Sequence, residues 1–559
     1  KTSGVAPLSV KFDSGAQGDD FHNLRYDWDF GDPESGHWGG VEDTVGLSRN
    51  VDTGPISGHL YARPGTYTAT LTVSDESGVI ESLSQEVTIT VTDPDDVFSG
   101  TATKCVSQSA NFEGCPVGAE QFTLDDAALS ANISDLLNDN EGRAKRVLLR
   151  RGDQWNITYP NTNSTLRDNI YLAAYGECLN PDARQICENA PILTNVSEGG
   201  LLKFVALSEN ITIQDIHLTA SDRLFGSIRG ISLRNLTLYR VKNTVSGTIG
   251  NFEYHDFSMV DSDITGGHTI LLFVGGRNMT IQGNHIHDSF SGHILRIPAA
   301  YRSSISHNVL HSTEVDPQRQ SQGSHLLKLH SLNIDHIADG ELSYLYETLA
   351  LKPTFTEYVY IANNFFGKGG NWPVSIDPQN AAKNELVSHL ILEKNFHTCG
   401  YGNDSTIGTL ERVPSNSCSQ MLAIQGANIT VRNSVFDLQG AGTRYADNRV
   451  NYPAAIAVKR RNAVTVAAAP TNVNVYNNTI RIPTDEIYFN DSPHWIDVGV
   501  DATNTRIVNN LINKPDPAAT SYLRDASGSA VAANNLFVDD AGFVDGFNSN
   551  VLDRNYRLR

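Results

Sequence analysis

From about residue 200 onward one short phrase keeps returning: a β-branched strand, an Asn, then a second short apolar strand. It reads Ile211-Thr212-Ile213-Gln214-Asp215-Ile216, Ile231-Ser232-Leu233-Arg234-Asn235-Leu236, Met279-Thr280-Ile281-Gln282-Gly283-Asn284 and Ile305-Ser306-His307-Asn308-Val309. It returns at Val359-Tyr360-Ile361-Ala362-Asn363-Asn364, Leu390-Ile391-Leu392-Glu393-Lys394-Asn395 and Val431-Arg432-Asn433, and in the pairs Asn477-Asn478, Asn509-Asn510 and Asn534-Asn535. A unit this short cannot bury its own apolar face, so repetition specifies a solenoid. The cleanest spacings, Asn284 to Asn308 and Asn510 to Asn535, are 24 and 25 residues. One coil of a three-sheet, right-handed parallel β-helix needs about that length, roughly 4 to 5 residues per strand plus three bends. Asn tolerates a left-handed bend and can hydrogen-bond the same group one coil above, so these Asn are read as structural.

The first 95 residues follow a different rule. In Thr66-Tyr67-Thr68-Ala69-Thr70-Leu71-Thr72-Val73 apolar and Thr positions alternate, the period of a half-buried strand. Val87-Thr88-Ile89-Thr90-Val91 repeats it before the acidic linker Asp93-Pro94-Asp95-Asp96. Tyr26-Asp27-Trp28-Asp29-Phe30-Gly31-Asp32, His59-Leu60-Tyr61, Pro64-Gly65-Thr66-Tyr67 and Val73-Ser74-Asp75 resemble a PKD domain. The resemblance implies an immunoglobulin-like β-sandwich, often attached to secreted enzymes that degrade polysaccharide or protein. Trp28 and Phe30 are expected in its core, Asp29 and Asp32 in turns, and Trp38 either in a loop or stacked on a sugar ring. The chain is thus read as all-β: a PKD-like sandwich over 1–96, a cap and first coils over 97–200, and the β-helix over 201–559. Leu124-Asp125-Asp126-Ala127-Ala128-Leu129 is helix-like and suits a cap over the raw strand edges of the solenoid.

Charge and cysteine content restrict partner and compartment. The net charge is −21, with 42 basic and 63 acidic residues and no Lys/Arg block, which argues against a nucleic-acid or anionic-membrane surface. An anionic substrate would have to meet a local basic stripe. No apolar stretch reaches about 18 residues, so no membrane span is predicted. Cys105 with Cys115, Cys178 with Cys187, and Cys399 with Cys418 form three close pairs without the spacing of a zinc site. Disulfides and an oxidising compartment are expected. Lys1-Thr2-Ser3-Gly4 already reads as the opening of a domain, so the protein is expected to be secreted with its signal removed, and to act as a monomer.

A parallel β-helix presents equivalent side chains in rows at about 4.8 Å, so a site should show as a polar column. The segments starting at His268, His293, His325 and Trp372 align as His268-Thr269-Ile270-Leu271, His293-Ile294-Leu295-Arg296-Ile297-Pro298, His325-Leu326-Leu327-Lys328-Leu329-His330 and Trp372-Pro373-Val374-Ser375-Ile376-Asp377. Arg296, Lys328 and Ser375 then share one column, and Pro298, His330 and Asp377 share the next on the same outward face. His268, His293 and His325 lie at the bend or with opposite parity, where a buried, backbone-bonded stack beside the site is expected. Arg302, His307, His311, Glu314, Asp316 and Arg319 are expected to overhang the column.

A Lys, an Arg and a His stacked this way suit β-elimination on a uronic-acid polymer. That reaction requires the sugar carboxylate to be neutralised, the C5 proton removed and the O4 leaving group protonated. Lys328 or His330 would be the base and the other the acid. Arg296 would hold the carboxylate, and Asp377, Ser375, His325, His293 and Arg302 would bind substrate, with Asp377 orienting His330 or holding a cation. The layout resembles the chondroitinase-B and alginate-lyase family, which uses a Lys base and an Arg on nearby coils, often with calcium. In that family Lys precedes Arg, whereas here Arg296 precedes Lys328. Arg296-Ile297-Pro298 followed by Arg302 is similar to the Arg-x-Pro-x-x-Arg phrase of pectate lyases, one residue longer. Two other classes are compatible with the sequence. A glycoside hydrolase would pair Asp377 with Glu314, Asp316 or Asp335, and a non-catalytic glycan-binding or adhesin β-helix would use the same column only to bind.

Overall fold

The computed structural model describes residues 1–39, 46–75, 83–138, 145–158, 168–196, 200–203, 208–220, 223–226, 232–245, 249–266, 270–289, 293–311, 325–331, 356–370, 372–378, 387–398, 420–438, 454–460, 469–481, 495–513, 523–538, 543–545 and 555–558.

The alternating N-terminal strands make a sandwich. One sheet runs Ser3–Val5, Leu83–Thr92, Gly65–Asp75, Leu24–Asp29, Val51–Thr53, and the antiparallel pair of Leu8–Asp13 with Ile56–Tyr61 faces it. Leu8, Val10, Phe12, Trp28, Phe30, Tyr61, Ala69, Ile89 and Val91 fill the space between the sheets. Trp28 donates its indole N–H to the Gly54 carbonyl at 2.9 Å. Phe30 lies stacked on His59 at 4.6 Å, and His59 Nε2 is 3.0 Å from Asp32 Oδ2.

After the linker the chain winds into a parallel β-helix. In each full coil a strand of sheet A leads into sheet B, and a bend then leads into sheet C. One such coil is His293–Ile297, Ala300–Ser306 and Val309–His311. Among the described residues sheet C has 13 strands in strict chain order, from Gln154–Ile157 to Leu536–Val538. The interior is one continuous apolar column, because period-2 alternation turns every second residue inward. In sheet C the inward row reads Ile264, Ile286, Leu310, Phe366, His397, Phe436, Ile480, Ile512. Each buried Ile or Leu in such a row contributes roughly 1.5–3 kcal/mol.

The helix Asp126–Leu137 closes the N-terminal end of this column. Asp125 caps it by accepting from Ala128 N–H at 2.8 Å, and Leu129, Ile133, Leu136 and Leu137 enter the core. The pairs Cys105–Cys115 and Cys178–Cys187 are disulfide-bonded, while Cys399 and Cys418 lie outside the described residues.

At the B–C bend two adjacent residues divide the work that the sequence reading assigned to one Asn. The first takes left-handed backbone, as at Asn363 (φ 55°), Lys394 (φ 54°), Asn433 (φ 54°), Asn477 (φ 56°) and Asn509 (φ 56°). The second forms the ladder. Asn364 Nδ2 donates to the Ile305 carbonyl at 2.8 Å and to Asn395 Oδ1 at 3.1 Å, and its own Oδ1 accepts from Asn308 N and Nδ2. The same links join Asn284 to Asn308, Asn478 to Asn510 and Asn510 to Asn535. Ser takes the ladder place at two described coils: Ser434 accepts from Asn395 N–H at 3.1 Å, and Ser262 accepts from Val241 N–H at 3.2 Å. A second set, Asn169, Asn210 and Asn235, is joined side chain to side chain at the bend entering sheet B, again with positive φ.

The sandwich lies along sheet B. Arg49 forms a two-pronged ion pair with buried Asp261, Lys11 donates to Asn278 Oδ1 at 2.7 Å, and Arg432 donates to the His22 carbonyl at 2.9 Å. Gly54 and Gly58 allow the closest approach. A Cβ on Gly54 would stand 2.2 Å from the Tyr360 ring, and one on Gly58 2.3 Å from Thr280. Trp38 is buried here, stacked on His307 at 4.6 Å with the Arg49 guanidinium over its ring. It is therefore a domain anchor and not an exposed sugar platform. No described helix is long and apolar enough to cross a membrane.

Candidate active site on sheet A

Three A strands of equal apolar pattern, His293–Ile297, Leu327–Leu329 and Val374–Ile376, pair in parallel register. Leu295, Leu327 and Val374 turn inward together, as do Ile297, Leu329 and Ile376. Parity then forces the residue between them outward, so Arg296 pairs with Lys328 and Lys328 with Ser375. One residue beyond each strand lie Pro298, His330 and Asp377, tied by His330 N–H to the Ile297 carbonyl and Asp377 N–H to the Leu329 carbonyl, both at 3.0 Å. Arg296 and Lys328 are half-buried, and Ser375, His330 and Asp377 are buried.

The side chains are interlocked. Arg296 Nε–H donates to His330 Nε2 at 2.8 Å, and its guanidinium lies 5.5 Å from the ring centre of Phe273, its column neighbour one coil earlier. His330 Nδ1 is 2.9 Å from the Ser331 carbonyl, which fixes the proton on Nδ1 and leaves Nε2 as the acceptor for Arg296. Thr356 Oγ1 donates to the His330 carbonyl at 2.7 Å. Burial, with the charges of Arg296 and Lys328, pushes His330 down to about 3 against the opposing pull of Asp377, so this imidazole is neutral. Burial also lowers the Arg296 guanidinium, again opposed by Asp377. Ser375 Oγ donates to Asp377 Oδ2 at 2.9 Å.

His293 and His325 flank this column. Their rings are 4.7 Å apart, and His325 is stacked over Trp372 at 6.2 Å, with its Nδ1 on the Trp372 carbonyl. Burial, with His325, Lys328 and Arg296, pushes His293 down to about 2. The sequence alignment erred at the preceding coil: Ile270, not His268, pairs with His293, and His268 itself lies outside the described residues.

Arg302 does not join the group. It donates to Asp13 Oδ1 at 2.8 Å and to the Ala16 carbonyl at 3.3 Å, and so holds the sandwich. His307 lies under Trp38, and His311 belongs to sheet C, so neither overhangs the column. Glu314, Asp316, Arg319 and Asp335 lie outside the described residues.

Sequence reading stopped the two columns too early. Register carries the first on through Ala423, Ala457, Asp497 and Arg524, and the second through Gln425 and Lys459. Lys459 pairs with Asp497 at 2.5 Å, and Arg524 Nε is 3.9 Å from Asp497 Oδ1. Counting on from Ile376 through the apolar strands Gln420–Ile424 and Ala454–Val458 would have found both. Sheet A therefore offers a straight polar row, basic at Arg296 and Lys328, with side-chain-poor steps at Ala423 and Ala457 and charge again at Lys459, Asp497 and Arg524. Its coil spacing is about 4.8 Å.

Residues 2–91 match the family model of the PKD domain. No curated protein matches the chain. Among solved structures it is similar to pectate lyase Pel9A (10% identity over 76% of this chain and 92% of that one, TM-score 0.31). It is similar also to an alginate lyase from Paenibacillus sp. str. FPU-7 (11%, 77% and 99%, TM-score 0.30). A third is the catalytic domain of a GH87 alpha-1,3-glucanase in complex with tetrasaccharides (10%, 96% and 90%, TM-score 0.38).

Proposed function

We propose that the protein is a secreted polysaccharide-degrading enzyme, and that sheet A cleaves a uronic-acid-containing chain by β-elimination. The observation that carries this reading is the in-register row of Arg296, Lys328 and Ser375, with His330 and Asp377 beside it. A row of cations on an otherwise acidic protein suits a polyanion, and the two disulfides suit an oxidising compartment.

In this reaction Arg296 faces the sugar carboxylate and stabilises the enolate that forms when C5 loses its proton. His330 is a positioning residue, because its Nε2 lone pair is committed to Arg296 Nε. Lys328 then takes the C5 proton. The C5–H pair becomes the C4=C5 double bond, the C4–O4 bond breaks, and the Lys328 ammonium returns a proton to O4. Asp377, held by Ser375, orients the sugar hydroxyls. If a calcium ion takes part, Asp377 would be the residue to hold it, and the ion would supply positive charge to neutralise the sugar carboxylate.

Among the described residues of this face paired-carboxylate hydrolysis receives less support; Glu314, Asp316 and Asp335, the partners considered for Asp377, lie outside them. Asp497 lies three coils beyond Asp377, about 14 Å at 4.8 Å per coil, outside the roughly 5–9.5 Å that such pairs span.

The test is ultraviolet absorbance during incubation with alginate, pectate, chondroitin or dermatan sulfate, and glucuronan, with and without calcium. Rising absorbance from the new double bond supports elimination and names the substrate. Flat absorbance with new reducing ends points to hydrolysis, and neither signal points to a binding module.

A further inference from the structure

On sheet C, away from the Arg296 row, a second group of side chains converges. His285 and His287 both point outward on the strand His285–His287, on either side of inward Ile286. Parallel register places Asp263 opposite His285 one coil earlier and His311 opposite His287 one coil later. The ligand-capable atoms of His285, His287 and His311 all lie within 4.8 Å of one another, and His285 Nε2 is 2.8 Å from His311 Nε2. Among the described residues this is the one group of three or more potential ligands.

We propose that His285, His287 and His311 form a binding site for a first-row transition dication, with zinc as the reference ion. Carboxylates stand behind two of the three imidazoles as they do behind metal-bound histidines generally, where a carboxylate on the far ring nitrogen fixes the tautomer and turns the near nitrogen to the ion. Asp263 Oδ2 is 3.1 Å from His285 Nδ1, which leaves His285 Nε2 facing His311. Asp288 Oδ2 is 2.6 Å from His287 Nδ1, while the near nitrogen, His287 Nε2, is 3.4 Å from Asp263 Oδ1, a contact that the ion displaces.

Two ring nitrogens at 2.8 Å share one proton, and a cation can take that proton's place. Nitrogens bound tetrahedrally at about 2.0–2.1 Å stand about 3.3 Å apart, so His285 and His311 need open only by about half an ångström. All-nitrogen donors select zinc, nickel, cobalt or copper over calcium and magnesium. Three protein ligands leave a fourth position for water or for an oxygen of a bound molecule. Because His285 and His287 come from one coil and His311 from the next, the ion staples two successive turns of the solenoid, and Asp263 ties in the turn before through His285. The site is independent of the sheet A chemistry, and its test does not need a substrate.

The experiment uses the full chain without a histidine tag, stripped with a chelator. Cobalt(II) is titrated while visible absorption is followed, and zinc is titrated by calorimetry. The expected result is one site per chain, intense tetrahedral cobalt bands that zinc abolishes, and a melting temperature raised by zinc. His285→Gln and His311→Gln should each weaken binding at least about 100-fold, and Asp288→Asn about 10-fold, the range usual for a carboxylate behind a ligand. His37→Gln, at an exposed residue of the sandwich, should leave it unchanged. Only weak octahedral cobalt bands in the unaltered protein would overturn the proposal even if the histidine variants fail to fold, as would equal affinity in Asp288→Asn and His285→Gln.

Discussion

Arg296 Nε and His330 Nε2 are 2.8 Å apart, with the imidazole as acceptor. This contact determines which of the two candidate bases on sheet A can work. A neutral imidazole whose lone pair already holds a guanidinium has no free basic nitrogen, so its contribution is to aim Arg296.

His330→Gln should therefore lower kcat/KM by about 10- to 100-fold through a loosened Arg296, and leave the shape of the pH–rate profile between pH 5 and 9 unchanged. The profile is expected not to change because His330 already sits at about 3. Steady-state rates across that range check this. An acid limb near pH 6–7 that disappears in the variant would make His330 the titrating base.

Buried histidines should make the protein acid-labile. His397 stands in the core between Phe366 at 4.9 Å and Phe436 at 4.4 Å, with neither ring nitrogen partnered among the described residues, and burial pushes it down to about 3. His22 is held at about 4 in the same way, with His389 and Arg432 adding to its burial. Between the folded value and the unfolded value near 6.5 the unfolded chain binds more protons. Stability is thus full above about pH 6.5 and is lost as pH falls, at up to about 1.4 kcal/mol per pH unit for each such histidine. His397→Phe should raise the melting temperature at pH 7.5, and raise it further at pH 5, where the extra gain is about 2 kcal/mol. Thermal melts at the two pH values decide the matter.

The Asn ladder gives a matched pair of stability tests. Asn364→Ala strips two donated bonds and leaves the Asn308 backbone N–H without its acceptor, at a cost of about 3–5 kcal/mol. Ser434→Asn should complete the ladder at the Ser step between Asn395 and Asn478, and stabilise by about 1 kcal/mol. Chemical denaturation of both variants against the unaltered chain reads the difference.

Docking of the sandwich on sheet B should make the two domains unfold together. Arg49→Leu strands Asp261, whose carboxyl burial already raises, without its partner, and costs about 3–5 kcal/mol. Gly58→Val drives a side chain into Thr280. Either change should split one calorimetric transition into two, with the sandwich melting first.

The coil length, the ladder and the polar column were legible in the sequence because all three follow from local period and parity. Ile297, Leu329 and Ile376 set the alignment that puts Arg296, Lys328 and Ser375 in line. His268 was misplaced by two residues because the strand Ile270–Arg277 runs through the A–B bend without a break, serving both sheets. His307 and Arg302 were misread for another reason. Their partners lie in the other domain, hundreds of residues away, and nothing in local pattern announces a docking surface. The three histidines of sheet C went unnoticed as a group because they belong to two coils and lack a contiguous motif.

The most direct test of the sheet A account is the unaltered enzyme beside Lys328→Met on whichever uronic-acid polymer raises ultraviolet absorbance, with binding of the same polymer measured in parallel. The account predicts that the variant loses at least about a thousandfold in rate and keeps its affinity within a few-fold, as expected when a group acts only in the transition state. Full turnover in the variant would contradict it.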